Sequence, residues 1–342
     1  MFRFLIPTVV LVALAACQQP PTTLAIEGQT MGTTYHVVVV GADRDLTEDD
    51  LRREVEEVFH QVNLTFSNWD PNSEVSLFNA DRSGEPVPAS GEMLDLLALA
   101  DEVHEATGGK FDLTMGPLIE LWGFGALGPD QDIPSVEAIN GALEKIGQTR
   151  LIQRNTDDST LQKTDVEAEI YVASIAKGRG IDSAAERLID LGLDDFMVEI
   201  GGDLFAVGTG PTGQGWRVGI EEPTTGSRKV ERIVAINRWG MATSGDYRNY
   251  FEEAGVRYSH ILNPETGRPV THTTASVTIL TENAAEADAW ATALLVVGSE
   301  DGLAIAEEHG LAAYFIDRAP PGSDEPFVST QTSFFTNLAE GS

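Results

Sequence analysis

Two things are scarce in this chain: cysteine and positive charge. There is one cysteine in 342 residues, and 22 Lys and Arg face 54 Asp and Glu, a formal charge of −32. A single cysteine excludes any internal disulfide. The shortage of cations excludes a nucleic-acid binder, because affinity for a phosphate backbone comes from clustered Lys and Arg that release counterions. It equally disfavours electrostatic docking on an anionic membrane. Internal repeats and low-complexity tracts are also missing, so repeat architectures are excluded. High net charge can signal disorder, but 42% of the residues are apolar, enough to build a core. The acids therefore read as a solvated surface, and the length suits one large domain or two lobes.

What is present begins at the N-terminus. Phe4 to Ala16 is an apolar run preceded by Arg3 and too short for a comfortable membrane span. Residues 1–16 read as a signal peptide ending Leu14-Ala15-Ala16-Cys17, the pattern of a bacterial lipoprotein box, with Cys17 the lipidated residue. Lipid chains would anchor the acidic body without electrostatic help. The expectation is a lipid-anchored membrane protein facing the periplasm or cell exterior. Residues 17–27 read as a polar tether and 28–342 as the folded domain.

Periodicity places the main elements. Tyr35 to Val40 is a β-branched strand, and Thr47 to Val62 a helix capped by Thr47 with Leu51, Val55, Val58 and Val62 as its stripe. Further helices are expected over 90–107, 177–191, 283–297 and 299–309, with strands over 275–280 and 311–316 and a loop over 116–134. Helices and strands alternate without regular βαβ spacing. The reading is α+β, two interleaved lobes with mixed, largely antiparallel sheets flanked by helices. Gly208-Thr-Gly210-Pro-Thr-Gly213 matches a dinucleotide fingerprint literally, but Pro211 and a following strand deny it the helix it needs.

Chemistry concentrates in five segments: 30–35, 107–125, 173–178, 243–267 and 286–292. Asp288 and Thr292 stand four apart on an expected helix, so both oxygens leave one face. A carboxylate and a hydroxyl suit Mg²⁺, although the same spacing serves a capping or solvated pair. Ser174 to Gly178 would set free backbone N–H groups and the Lys177 ammonium at a helix start, an anion site or simply a tight turn with a surface lysine. Trp122 and Phe124, among glycines, read best as core plugs.

Taken together the five segments resemble the ApbE-type flavin transferases, the FAD:protein FMN transferase lipoproteins. The resemblance is carried by the lipobox, Met31-Gly32-Thr33, Gly108-Gly109-Lys110-Phe111-Asp112-Leu113-Thr114, Ile175-Ala176-Lys177-Gly178, Ser244-Gly245-Asp246-Tyr247, Ser259-His260-Ile261 with Pro264 and Gly267, and Ala287-Asp288 with Thr292. It implies FAD as substrate in a cleft between the lobes and a divalent cation, usually Mg²⁺, on the pyrophosphate. Asp288, Thr292 and the backbone oxygen of Ser174 are the implied metal ligands. Implied flavin contacts are Met31, Trp69, Lys110, Phe111, Asp112, Lys177 and Ile261. Two positions depart from the family pattern: Tyr171 stands where an Asp contacting the nucleotide is common, and Asn263 where an Asp precedes the proline.

The implied reaction is attack of a Thr or Ser hydroxyl of a partner protein on the FMN-side phosphorus of FAD, with AMP leaving. Implied partners are flavinylated membrane electron-transfer subunits, such as those of quinone reductases. His260 is the candidate base because its ordinary pKa suits neutral pH, with Asp246 the weaker alternative. His36, His60, His104 and His309 fall in ordinary strand or helix patterns and read as structural. Two alternatives use the same residues: an FAD pyrophosphatase giving FMN and AMP, and a non-enzymatic FAD-binding lipoprotein.

Overall fold

A computed structural model describes residues 22–42, 45–125, 133–224, 226, 229–253 and 255–340. The leader, the lipobox and Cys17 lie outside the described residues. The centre is an eight-stranded sheet in the order Thr23–Thr30, Thr33–Val40, Phe196–Ile200, Asp203–Val207, Trp239–Gly245, Thr274–Thr281, Ala312–Arg318 and Phe327–Gln331. Every neighbouring pair in it is antiparallel, in keeping with the largely antiparallel α+β reading. Both faces are covered, which follows from the pleat. Tyr35, Val37 and Val39 point to one side and pack on Leu51, Val55 and Phe59 of the helix Glu48–Phe66. Val40, Leu204, Ala206 and Met241 point to the other side, beneath the hairpin Trp216–Glu221/Val230–Ile236.

Three helices matter for the site. Glu48–Phe66 starts where expected: Thr47 Oγ1 accepts from Asp50 N at 3.1 Å while Asp50 returns a bond to Thr47 N. Ala176–Asp190, the Lys177 helix, lies between it and Ala284–Val297, the Asp288 helix. The Asp288 helix is apolar nearly all round, and eleven of its fourteen residues are buried, as a helix without a polar face must be. Alanines dominate its contact surface and let neighbouring backbones come close. A Cβ on Gly178 would lie 2.3 Å from the Ala284 carbonyl oxygen, and one on Gly240 would lie 2.5 Å from Asn283 C.

The segment between the second and third sheet strands folds as a helical lobe with a small three-stranded sheet, Val87–Pro88/Thr160–Lys163/Ile152–Asn155. It returns to the main sheet through Tyr171 to Lys177. Two expectations change. Thr23 to Glu27, taken as tether, form five of the eight residues of the edge strand because Leu24 and Ile26 bury against the sheet's helical side. Gly116 to Leu121, taken as loop, is a short helix with Pro117 in its first turn, where the missing N–H costs nothing. Residues 126–132 of that expected loop lie outside the described residues. Gly208 to Gly215 is a turn between strands, bridged at Thr209 and Gly215.

Candidate active site

A cleft of about 730 Å³ opens where the helical lobe meets the sheet, and residues from all five segments converge on it, the first through Thr33 and Thr34 rather than Met31. Its floor is the junction of the Lys177 and Asp288 helices. Lys177 Nζ lies 2.9 Å from Asp203 Oδ2 and 3.1 Å from Asp288 Oδ1. Asp288 Oδ2 also accepts from Gly178 N at 3.1 Å, and Asp203 Oδ1 from Thr243 N at 3.0 Å. Thr292, one turn beyond Asp288, reaches Ser244 Oγ at 3.1 Å.

Burial alone would pull the Lys177 ammonium down, but Asp203 and Asp288 together hold it above its usual range. Two carboxylates share one ammonium. Burial, with Asp203 nearby, therefore pushes Asp288 up to about 6 against the pull of Lys177. The floor thus carries surplus negative charge and oxygen donors.

One wall holds the histidine. His260 Nδ1 sits 3.0 Å from the Asn249 carbonyl oxygen. A carbonyl only accepts, so Nδ1 donates, and the neutral ring keeps its lone pair on Nε2. Burial lowers the His260 pKa, partly offset by the Asn249 bond and Asp246. The ring packs edge-on against Phe124, which tilts on Phe251, which stacks on Tyr258 at 5.2 Å. Trp122 stacks on Tyr258 and donates to the Gly267 carbonyl at 2.8 Å. Trp122 is a core plug as expected, and Phe124 orients the imidazole.

The other sequence candidates separate into three groups. Lys110, Phe111, Asp112, Tyr171, Ser174 and Ile261 line the cleft. Within that group Asp112 is occupied with the chain itself, accepting from Thr114 N at 2.7 Å and Gln148 N at 3.1 Å, and Lys110 pairs with Glu265. Trp69 is not among the lining residues but stands beside one, 70% exposed, with its ring 5.5 Å from that of Tyr171. Met31 packs against Gly180 of the Lys177 helix and is not among the lining residues.

Asp246 is a correction. Both its oxygens are taken by Arg318, at 2.9 and 2.6 Å, and it does not line the cleft, so it cannot act as a base there. Asn263 keeps the turn before Pro264 through a bond from Glu265 N at 2.9 Å.

Two groups were missed. His36, read as an ordinary strand residue, lines the cleft with Nδ1 2.6 Å from Glu199. His104 and His309 are structural as expected, contacting the Phe111 carbonyl and the Trp290 ring. Asp203, the second partner of Lys177, had no place among the candidates. Its signal was the preceding Gly201-Gly202 pair, whose positive φ values of 61° and 104° make a two-residue hairpin that drops Asp203 opposite Ile200.

Among the described residues no three His, Cys, Asp or Glu side chains are grouped to hold a metal. A transition-metal cage is therefore a poor match. The floor instead fits a hard divalent cation that keeps water or ligand phosphate in its shell: Asp288 and Thr292 supply oxygens, Ser174 lies at the same cleft, and the surplus carboxylate charge favours a cation. Lys177 beside it can meet an anionic ligand. A cleft with a cation-ready floor and a neutral imidazole in its wall can bind a phosphate-bearing molecule and take a proton from a hydroxyl.

The family model for the ApbE family matches residues 31–315. A FAD:protein FMN transferase of Haemophilus influenzae is 37% identical over 96% of this chain and 95% of its own length. One of the same name from Escherichia coli is 34% identical over 86% and 84%. Among solved structures, the flavin transferase ApbE of Vibrio cholerae superposes with a TM-score of 0.84 at 34% identity, covering 93% of this chain and all of its own. The apo flavinyl transferase ApbE of Pseudomonas stutzeri gives 0.83 at 38% identity, over 93% and 97%.

Proposed function

The chain belongs to the ApbE family, and from that premise we propose that it moves FMN from FAD to a hydroxyl of a protein acceptor, with a divalent cation at Asp288. The transferase activity rests on curated relatives that match nearly end to end. The observation that carries the residue-level reading is the convergence of Lys177, Asp288, Thr292 and His260 on one cleft from segments far apart in sequence.

The proposed residue roles combine the family resemblance with the cleft's lining. Asp288, Thr292 and the Ser174 backbone would hold Mg²⁺, which when bound neutralises charge on a pyrophosphate. Lys177 reaches the same phosphates once Asp288 is engaged. The acceptor Thr or Ser oxygen forms a bond to the FMN-side phosphorus, the bond to the AMP oxygen breaks, and the hydroxyl proton passes to His260 Nε2. Burial helps here, since it keeps His260 neutral at pH 7. The exposed Trp69 and the half-buried Tyr171 offer ring faces to the flavin or adenine. Acceptors are membrane electron-transfer subunits. Cys17 carries the lipid that keeps the enzyme beside them, on the outer side of the membrane, a placement supported by Leu14-Ala15-Ala16-Cys17. No helix of the described residues is long and apolar enough to cross a membrane.

The test is to incubate the Mg²⁺-loaded protein with FAD, with and without an acceptor domain, and to follow AMP and a fluorescent, acid-stable protein adduct. AMP and adduct appearing only with acceptor is the expected result. AMP without acceptor at an equal rate would overturn transfer in favour of hydrolysis, and bound FAD with no AMP would leave a carrier.

A further inference from the structure

Asp182 lies on the Lys177 helix one turn beyond Gly178, and its side chain reaches across to the start of the Asp288 helix. Its two oxygens accept from Ala284 N at 2.6 Å and Ala285 N at 2.9 Å. These are the first two N–H groups of that helix, which have no partner within it. The local cap, Asn283, takes only the third, from Glu286 N at 2.9 Å. One turn along, the arrangement reverses: Asp288 of the second helix accepts from Gly178 N of the first at 3.1 Å. Two carboxylate clamps, one in each direction, thus tie the helices together around a contact where a Cβ on Gly178 would meet the backbone of Ala284 and Ala285.

We propose that Asp182 is a positioning residue for the metal-ligating carboxylate: it fixes the axial register and rotation of the Asp288 helix, and so where Asp288 and Thr292 place their oxygens. The inference rests on the reading of Asp288 as a metal ligand. Asp182 itself touches neither cleft nor ligand, since it is 8% exposed and absent from the lining. Partners that orient a metal's ligands typically contribute 10- to 100-fold in affinity, so loss of the clamp should weaken metal binding by about 10-fold or more.

The experiment compares two substitutions at the same helix end. Asp182→Asn turns one acceptor into a donor facing an N–H and breaks the inter-helix clamp. Asn283→Ala removes the local cap and leaves the clamp intact, at a cost of about 1 kcal/mol in stability. Each protein is titrated with Mn²⁺, with and without FAD, following the EPR signal of the free ion, and its Tm is recorded. Both variants should melt lower, but only Asp182→Asn should shift the Mn²⁺ midpoint by about 10-fold or more. A midpoint within twofold of wild type in Asp182→Asn, or equal shifts in both variants, overturns the positioning role. If Asp182→Asn does not fold, Asp182→Ser, which keeps one acceptor, is judged by the same criterion. Absence of Mn²⁺ binding by the wild type overturns the metal site itself, a failure distinct from that of the clamp.

Discussion

The floor and the rim of the cleft face the same space but are held in different ways. At the floor the Lys177 and Asp288 helices meet backbone to backbone through Gly178 and Ala284, and each charged group there has two or more partners. Towards the rim Trp69 is 70% exposed and touches one ring, and in the wall His260 hangs on one carbonyl and the edge of Phe124. Stability and chemistry are therefore joined at the floor and separable at the rim. A metal site needs the first arrangement, because oxygens displaced by an ångström lose their ion. A surface that admits a dinucleotide and then a protein segment needs the second.

That contrast can be broken by substitution. Asp288→Ala should have the largest effect: transfer should fall on the order of 10³-fold, several kcal/mol in barrier, and Mg²⁺ dependence should vanish. Full Mg²⁺-dependent turnover in that variant would remove the floor from the chemistry. Gly178→Ala comes next, since its Cβ would meet the Ala284 carbonyl at 2.3 Å. Thermal or urea unfolding should show a loss of about 2–3 kcal/mol, with metal affinity falling in parallel. If stability drops while metal affinity holds, floor packing and ligand geometry are independent after all.

In the wall His260→Gln should lower kcat by about 10²-fold while FAD affinity and Tm stay near wild type. Because burial lowers the His260 pKa, the acid limb of the wild-type profile should lie below 6.5. The sign follows from the base being active when neutral: activity is retained above that limb and lost as pH falls through it. A limb above 6.5, or one that survives in His260→Gln, would assign proton removal elsewhere. Trp69→Ala should be mildest, raising KM for FAD by about fivefold through lost stacking of about 1 kcal/mol, with Tm unchanged. A large fall in Tm would show that the rim is structural like the floor.

Much of this was legible before the fold was known, and the reason differs by residue. Helices such as Glu48–Phe66 announce themselves through an apolar stripe and a Thr47 cap, both local signals. Asp288 and Thr292 could be paired because four residues on a helix always share a face. Asp246 stood as the weaker alternative to His260 in one segment, and Arg318, 72 residues beyond Asp246, removes it by claiming the carboxylate. Asp203 escaped notice because a Gly-Gly-Asp hairpin is an ordinary turn until Lys177 is found across from it. Thr23 to Glu27 looked like tether since alternation over so few residues is a weak signal, and burial against a neighbouring strand decides it.

The one-cysteine, cation-poor composition by itself excluded a disulfide within these residues and argued against a polyanion as partner. Local pattern determined the helices, the family resemblance and the short list of reactive side chains. Tertiary structure alone decided which of those side chains share a cleft, that Lys177 answers to two carboxylates, and that Asp182 ties one helix to the next. The physical reason is range. Capping and periodicity act over a few residues, whereas burial, charge pairing and helix register depend on groups more than a hundred positions apart, such as Asp182 and Ala284.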